Sequence, residues 1–451
     1  MQLKTHKDAL SFHGGADVEM LRNSSLGCLG AKVHEGSKWM VVGVLTGGSD
    51  RPYVYGLATS LLAKGIHLEI VGSDELDLPE FRDNPSLKFL NLRGDNQPGA
   101  SLISKVSRIL RYYARLVWYA GTTKAKIFHI LWNNRFETLD RTVLMLYYRL
   151  LRKKIVMTVH NVNAGRRDKS DSLWNRATLR MQYRLADHLF VHTENMRAEL
   201  IKDFAVLGAR VTVIPFGINN AAPRTDLTPR EAKQRLGLRA SDKTILFFGR
   251  ITPYKGLEYL IAAFRQARKR VSGLRLVIAG RIDRCEDYWR AIREDIQEEA
   301  LNGEIPVRAE FIPEAETEVY FKAADVLALP YRDIYQSGVL FLAQSFGLPV
   351  LASDAGSLKD EVVEGWNGFT FGRESDAELA EAIDRYFQSD LYAGLEARRS
   401  EIRDRAARKH SWSTVARITA EIYHGLDQNS RDKASLERCS SAKPMDCDSF
   451  Q

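Results

Sequence analysis

The sequence has few cysteines and no long hydrophobic run, and each absence excludes a class of protein. Its four cysteines are scattered and form no Cys-x-x-Cys pair, so we expect neither a zinc site nor a disulfide framework. No segment approaches the roughly 18 consecutive apolar residues of a membrane span, which argues against an integral membrane protein. No continuous apolar stretch precedes Gly14, so we see no secretory signal and expect a cytoplasmic protein.

Apolar and charged residues occur in ordinary globular proportions. Hydrophobic residues make up 45% and charged residues 27% of the chain, which excludes a disordered protein. The length of 451 residues exceeds the roughly 250 to 300 at which single cores stop growing, so we expect two domains. There are 65 Lys and Arg against 57 Asp and Glu, a net charge of +8. This excess favours an anionic partner: nucleic acid, a lipid surface or a phosphorylated substrate.

Short apolar runs alternate with longer amphipathic segments through most of the chain. The runs are predicted strands at 39–45, 68–71, 89–92, 127–131, 155–159 and 189–191, and then at 245–248, 274–279, 309–312, 326–329 and 350–352. This rhythm predicts an α/β protein with two doubly wound, Rossmann-like domains. Such pairs of domains hold ligands in the cleft between them, because each sheet presents its carboxyl-end crevice to that cleft.

The pattern also suggests where the domains begin and end. We place the first domain at 38–217, the second at 218–410 and a final crossover helix at 411–426. The segments at 1–37 and 427–451 are polar or weakly patterned, so we expect flexible ends there.

A glycine turn with two cations lies between a predicted strand and a predicted helix. Gly249 lets a ligand approach the backbone, Arg250 can hold two phosphate oxygens, and Lys255 adds a point charge. Each charge-assisted hydrogen bond contributes about 1.5 to 3 kcal/mol. The turn therefore predicts a phosphate site, and the alternative is a pair of solvated side chains on a surface loop.

Several motifs occur together in the order and spacing of a known family. They are Gly-Arg-x4-Lys-Gly at 249–256, Leu-Val-Ile-Ala-Gly at 276–280, Ala-Ala-Asp-Val at 323–326, Gly-Leu-Pro-Val at 347–350, Gly-Gly at 47–48 and Thr-Val-His-Asn at 158–161. Over most of residues 39–425 the chain resembles glycosyltransferase family 4, whose members have the GT-B fold. The resemblance implies transfer of a sugar from a nucleotide diphosphate sugar. That donor is a co-substrate, so the resemblance implies no cofactor and no obligatory metal.

The resemblance also assigns candidate site residues. Arg250 and Lys255 would stabilise the charge on the leaving diphosphate, and His160, after a predicted strand, would contact the transferring sugar or the acceptor. Donor-binding candidates lie at strand ends and helix starts: Gly47, Gly48, Gly249, Gly280, Ile312, Gln336, Ser337, Gly338, Val339 and Leu340. The alternative role for His160 is a structural hydrogen bond, and the alternative role for Gly47 and Gly48 is a tight turn between a strand and a helix.

The chain departs from the family at its Glu-x7-Glu motif. Aligned from Gly347, the two glutamates fall on Ile334 and Leu342, whose side chains cannot form hydrogen bonds. In the family, the glutamate at the Leu342 position holds the ribose hydroxyls. Either Gln336 or Asp333 takes over contacts to the sugar, or the donor site has decayed.

A basic stripe borders an apolar stripe in the predicted helix at 101–120. The cations are Lys105, Arg108, Arg111 and Arg115, and the apolar residues are Ile103, Val106, Leu110, Tyr113 and Val117. Anionic lipid attracts such a surface by about 1 kcal/mol per nearby cation. The first domain could therefore rest on the inner leaflet of the cytoplasmic membrane and receive a lipid-linked acceptor. The alternative is a helix whose apolar stripe packs into the core.

The leading hypothesis is a retaining glycosyltransferase acting on a saccharide or lipid-linked acceptor in exopolysaccharide or glycolipid biosynthesis. A nucleotide-sugar epimerase on the same scaffold and a non-catalytic scaffold with a decayed donor site remain alternatives. Nucleic-acid binding ranks last, because only the net charge supports it and no nucleic-acid motif is recognised.

Overall fold

Two parallel sheets form the framework of the protein. A computed structural model describes residues 39–47, 50–94, 101–218 and 224–441, without the side chains of Leu102 and of 429–441. The strands of the first sheet are β1 Val41–Leu45, β2 His67–Gly72, β3 Leu87–Asn91, β4 Ile127–Ile130, β5 Lys154–Thr158, β6 His188–Val191 and β7 Val211–Val213. Those of the second are β8 Lys243–Phe248, β9 Leu274–Ala279, β10 Val307–Arg308, β11 Val326–Leu329, β12 Val350–Ser353 and β13 Gly368–Phe371.

The strand orders explain where a ligand site can form. The first sheet runs β3-β2-β1-β4-β5-β6-β7 and the second runs β10-β9-β8-β11-β12-β13. The order therefore reverses between β1 and β4 and again between β8 and β11. At such a reversal, neighbouring loops diverge at the carboxyl ends of the strands and leave a crevice for a ligand.

Helices connect the strands and pack on the sheets. They are α1 Arg51–Leu62, α2 Pro79–Arg82, α3 Leu102–Thr122, α4 Glu137–Leu139, α5 Met145–Leu150, α6 Ala164–Arg167, α7 Leu173–Leu185, α8 Glu194–Phe204, α9 Pro229–Arg235, α10 Leu257–Ala267, α11 Glu286–Asp295, α12 Gln297–Leu301, α13 Glu314–Ala323, α14 Gly338–Ser345, α15 Asp376–Gln388, α16 Asp390–Ala393, α17 Leu395–Lys409 and α18 Trp412–Ser441. In the part of the chain that the structure describes, none of these helices could cross a bilayer.

The predicted α/β architecture with two doubly wound sheets is confirmed. Strands such as β4, β6, β11 and β12 are buried along their whole length, because helices cover both faces of a parallel sheet. That burial requires continuous apolar runs, which is why the sequence revealed these strands. The predicted domain boundary at 217 falls between β7 and β8.

Two expectations about local structure were wrong. The predicted strand at 309–312 does not form. Strand β10 ends at Arg308, and the apolar side chain of Phe311 is 67% exposed instead of buried in the sheet. Ile312 precedes Pro313, in the loop before α13. The expected disordered tail is helical as far as Ser441, since α18 continues past the predicted end at 426. No proline or glycine interrupts residues 427–441, so their polar composition did not stop the helix.

Helix α18 packs against the first domain although it follows the second in sequence. Trp412, Val415 and Tyr423 lie in one apolar cluster with residues of β1 and α1. The Trp412 indole fits where two glycines leave room: a Cβ atom at Gly56 would lie 2.1 Å from its ring, and one at Gly217 would lie 2.3 Å from it. The indole N–H donates a hydrogen bond of 2.8 Å to the Ile218 carbonyl.

Candidate active site

A cleft of about 430 Å³ lies at the carboxyl ends of the two sheets. We call it the donor cleft. Its wall comes from the start of α1, the loops after β7, β8 and β11, the start of α14 and the first residue of α18. The lining residues are Asp50, Pro52, Tyr53, Phe216, Gly217, Gly249, Arg250, Tyr254, Lys255, Tyr331, Ile334, Gln336, Ser337, Gly338, Val339, Leu342 and Trp412. Among the described residues, no group of three or more His, Cys, Asp and Glu side chains is placed to hold a metal ion.

Both predicted phosphate-binding cations line the donor cleft. The Lys255 side chain is buried, with its Nζ atom 5.2 Å from the centroid of the Tyr331 ring. No described residue accepts a hydrogen bond from this ammonium or pairs with it. Burial, followed by repulsion from Arg250 and Arg167, lowers the pKa of Lys255 to about 7. Arg250 is largely exposed and lies 3.2 Å from Asp283.

An anion in the cleft would therefore complete this arrangement. A buried cation without a counter-ion is costly, and a diphosphate would supply the missing negative charge. The exposed Arg250 can turn toward the same anion. The two side chains form a site whose electrostatics favour a diphosphate over a neutral ligand.

Glycines bring the loops after β8 and β9 into contact. Gly249 has φ +101° and Gly280 has φ +149°, both in the region that favours glycine. A Cβ atom on Gly280 would lie 1.6 Å from the Gly249 carbonyl oxygen. Gly249 lines the donor cleft. Gly280 does not line it, but it contacts the backbone of Gly249.

The start of α14 supplies backbone donors to the cleft wall. Ser337 is the N-cap residue, and the Leu340 N–H donates to its Oγ at 3.4 Å. Gly338 and Val339 are the first two helical residues and line the cleft, where their N–H groups have no partner within the helix. Leu340 does not line the cleft, because its N–H is used in the cap and its side chain is buried in the core.

Gln336 and the two apolar replacements form one part of the wall. The Gln336 Oε1 atom is buried and has no hydrogen-bond donor among the described residues. Ile334 and Leu342 line the same cleft with apolar side chains. Asp333, the other proposed substitute for a family glutamate, lines a neighbouring cleft instead. Of the two substitutes, Gln336 is the one that lines the donor cleft with a free acceptor atom.

His160 lies behind the cleft wall in an aromatic cluster. Its ring stacks on Trp132 at 4.3 Å and meets the Tyr53 ring edge-on at 4.8 Å. Its Nδ1 atom is 3.2 Å from Nε2 of His192, and its own Nε2 is buried without a partner among the described residues. Burial, with repulsion from His192 and His129, holds the pKa of His160 well below its usual range. The imidazole is neutral at pH 7 and contacts Tyr53, which lines the cleft.

Two other predicted positions, Gly47 and Ile312, lie outside the donor cleft. Gly47 has φ +56°, and a Cβ atom there would lie 1.8 Å from the Trp132 carbonyl oxygen, so a tight turn explains this glycine. Gly48 lies outside the described residues. Ile312 is buried in the core of the second domain.

Sequence reasoning missed the aromatic residues and the carboxylate of the cleft. Tyr53, Tyr254, Tyr331 and Trp412 come from four segments far apart in sequence, and no local pattern connects them. Asp50 could have been identified from the sequence as a helix cap, because an Asp two residues before Pro52 predicts the start of a helix. Its carboxylate accepts a hydrogen bond of 3.2 Å from the Tyr53 N–H and caps α1.

The apolar stripe of α3 lies on the surface and not in the core. Ile103 is 82%, Leu110 61% and Trp118 75% exposed, and Val106 and Val117 are also exposed. Of the five apolar residues in the predicted stripe, Tyr113 alone is buried. The alternative prediction, that this stripe packs into the core, is therefore wrong. Arg111 and Arg115 are exposed beside these residues, and Lys105 and Arg108 are partly buried.

Comparison with known families identifies the class of protein. The model of Glycosyltransferase Family 4 matches residues 47–221, and that of Glycosyl transferases group 1 matches residues 242–389. The two models match one domain each, and the chain is a glycosyltransferase with the GT-B fold that is similar to family 4.

Relatives and solved structures agree with this assignment. A D-inositol 3-phosphate glycosyltransferase of Corynebacterium glutamicum is 24% identical over 85% of this chain and 93% of that relative. Sucrose-phosphate synthase from Thermosynechococcus elongatus has a TM-score of 0.67 at 19% identity, covering 86% of this chain and all of the other. The Anabaena protein Alr3699/HepE, solved with UDP and glucose, has a TM-score of 0.66 at 18% identity and the same coverage. These two structures share the fold.

Proposed function

We propose that the protein transfers a sugar, with retention of configuration, from a nucleotide diphosphate sugar to a saccharide or lipid-linked acceptor. The observation that carries the proposal is the buried, unpaired ammonium of Lys255 beside Arg250 in the donor cleft. As the glycosidic bond breaks, the leaving diphosphate gathers negative charge. Cations held in place before the reaction stabilise that charge more than they stabilise the ground state.

The remaining wall residues fit the other parts of such a donor. The first N–H groups of α14, at Gly338 and Val339, would bind phosphate oxygens, and Gln336 would accept a hydrogen bond from a sugar hydroxyl. Ile334 and Leu342 offer only apolar contact. A uridine nucleotide is the first donor to test, because the Anabaena structural neighbour was solved with UDP-glucose.

Nucleotide binding tests the proposal directly. UDP, GDP, ADP, CMP, dTDP and their common sugars are added to wild type and to Arg250→Ala, and the melting temperature is recorded. One nucleotide at 100 times its Kd should stabilise wild type by about 2.7 kcal/mol. Loss of Arg250 should weaken its binding about tenfold or more. Arg239→Ala is the matched control, since Arg239 is exposed in the same domain and does not line the cleft.

The outcomes separate the alternatives. NMR of the product anomer distinguishes retention from inversion. Isomerisation of the donor without any acceptor would identify an epimerase. A folded wild-type protein that responds to no nucleotide would contradict the proposal and make Ile334 and Leu342 marks of a decayed donor site.

We also propose that α3 places the first domain on an anionic membrane surface during polysaccharide or glycolipid assembly. The exposed Leu110 and Trp118 lie beside Arg111 and Arg115. The neighbouring helix α5 adds Leu150, which is 80% exposed, and the Tyr147 hydroxyl ties the two helices together through a hydrogen bond of 3.1 Å to the Val117 carbonyl. Apolar residues bordered by cations are typical of surfaces that insert into the headgroup region of a bilayer.

Vesicle co-sedimentation tests the membrane proposal. Wild type should bind vesicles containing phosphatidylserine and bind neutral vesicles less. Leu110→Glu should reduce binding about tenfold, because it removes apolar area and adds a charge that anionic lipid repels. Leu301→Glu is the control, as Leu301 is 81% exposed on α12 of the second domain. Equal effects of the two variants, or no binding by wild type, would contradict the proposal.

A further inference from the structure

A second, larger cleft opens beside the donor cleft. Its volume is about 1100 Å³, and it shares Arg250 and Tyr254 with the donor cleft. The first domain contributes residues of α6 and the loop that follows it, and the second domain contributes loops after β8, β9, β11 and β13. We call it the cationic cleft, because seven Arg and Lys side chains line it against four Asp and Glu: Arg166, Arg167, Lys169, Arg250, Arg281, Arg284 and Arg332 against Asp168, Asp283, Asp333 and Glu374.

Several of these cations already have partners. Arg167 pairs with Asp168 at 2.7 Å, and its guanidinium lies 4.4 Å from the centroid of the Tyr254 ring, which joins the two domains at this cleft. Arg166 lies 3.6 Å from Glu199, and Arg332 pairs with Glu258. These contacts fix the shape of the cleft.

Three cations remain without such a contact. Among the described residues, none forms a hydrogen bond or ion pair with the side chain of Lys169, Arg281 or Arg284. All three are exposed to the cleft. They come from the loop after α6 and from the loop after β9, so they approach from both domains. Unpaired cations that line one concave surface create a positive potential, which attracts an anionic ligand.

The backbone supplies an independent observation. Lys169, Arg284 and Glu374 have φ angles of 53°, 55° and 57°, a conformation that residues other than glycine rarely adopt. The described chain contains five such non-glycine residues, and three of them line this one cleft. Such strain is tolerated where a side chain must be held in a particular place, and ligand sites are common examples.

We propose that the cationic cleft binds a phosphate group of the acceptor substrate, with Lys169, Arg281 and Arg284 as its ligands. This inference rests on the proposed function, because it names the chemical class of the acceptor. An acceptor anchored there lies next to Arg250, and its reacting hydroxyl can face the sugar in the donor cleft. The volume admits a sugar together with its phosphate group.

Binding of a matched pair of probes tests the inference. Glucose and glucose 6-phosphate are titrated calorimetrically into wild type that has been saturated with its nucleotide. The phosphorylated sugar should bind at least about tenfold more tightly than glucose, and the difference should shrink at high salt. Lys169→Ala and Arg284→Ala should each weaken binding of the phosphorylated sugar about tenfold. The Kd of the nucleotide should not change, since neither residue lines the donor cleft.

A matched control separates the cleft from general charge and strain. Arg152 is an exposed cation with φ 58° that does not line the cleft, so Arg152→Ala should leave binding of glucose 6-phosphate unchanged. A short-chain polyprenyl diphosphate sugar is the second probe. Tighter binding of this probe than of glucose 6-phosphate, lost in the same variants, would assign the phosphate to a lipid-linked acceptor. The reverse preference would assign it to a soluble sugar phosphate, and either result supports the inference.

Other results would overturn it. If the nucleotide binds but both phosphorylated probes bind no more tightly than glucose, the cleft does not recognise phosphate. The same conclusion follows if the nucleotide displaces the phosphorylated probes competitively, because they would then occupy the donor cleft. If the nucleotide itself fails to bind, the proposed function fails first, so the two failures are distinguishable.

Discussion

Replacing Lys255 by methionine is expected to abolish sugar transfer and to raise the stability of the ligand-free protein. Lys255 is 5% exposed, and no described residue supplies its ammonium with a counter-ion. Methionine keeps most of the apolar volume and removes the charge that burial penalises. The loss of activity follows because the leaving diphosphate loses its buried cation.

The stability gain should depend on pH in a defined direction. The pKa of Lys255 is lowered from 10.5 to about 7 by burial and by the nearby Arg250 and Arg167. Between these two values the unfolded chain binds more protons at this site than the folded protein does, so the stability of wild type rises with pH. The penalty is fully present below pH 7 and disappears above pH 10.5. Lys255→Met should therefore be more stable than wild type by on the order of a few kcal/mol at pH 6, and the difference should narrow toward pH 10.

Denaturant unfolding at pH 6, 8 and 10 measures this effect, and Lys233 provides the control. Lys233 is also a buried lysine of the second domain, but its Nζ lies 3.0 Å from an Asp325 carboxylate oxygen. Lys233→Met leaves that buried carboxylate without its cationic partner and should destabilise the protein by about 3 kcal/mol or more. If both variants were destabilised alike, the unpaired character of Lys255 would be disproved.

The fold was accessible from the sequence because parallel strands buried on both faces require continuous apolar runs. Strand β9 lies at its predicted bounds, and β4, β8 and β12 lie within two residues of theirs. Edge strands gave weaker signals. β7 has three residues, β10 has two and β13 has four, and all three lie at the ends of their sheets. Short edge strands are common because long ones invite pairing with other chains.

The candidate site was accessible only where one short segment carries it. Gly249, Arg250 and Lys255 lie within seven residues, between β8 and α10, so their common location could be predicted. The burial of Lys255 could not, because Tyr331 and the rest of the enclosing wall come from loops elsewhere in the chain. The cationic cleft could not be predicted from the sequence for the same reason. Lys169 and Arg284 are distant in sequence, and cations in loops have no periodic pattern.

Removal of the Trp412 indole is expected to cause a large loss of stability. The ring is 6% exposed and fills the space left by Gly56 and Gly217, and its N–H donates to the Ile218 carbonyl. Trp412→Ala should lower the free energy of unfolding by about 3 to 5 kcal/mol, through lost apolar burial and the cavity that remains. Denaturant unfolding measures it. Trp174→Ala is the control, because Trp174 is 66% exposed on α7 and its loss should change stability by less than about 0.5 kcal/mol.

The same substitution tests whether α18 contributes to the donor cleft. Trp412 lines that cleft together with Tyr53, and the two rings are 5.0 Å apart. A folded Trp412→Ala protein should therefore bind its nucleotide more weakly than wild type, whereas Trp174→Ala should bind as wild type does. Gly56→Ala approaches the contact from the other side, since its Cβ atom would meet the ring at 2.1 Å. If stability and nucleotide binding were unchanged in both Gly56→Ala and Trp412→Ala, the claim that the contact between α18 and α1 contributes to the donor cleft would be wrong.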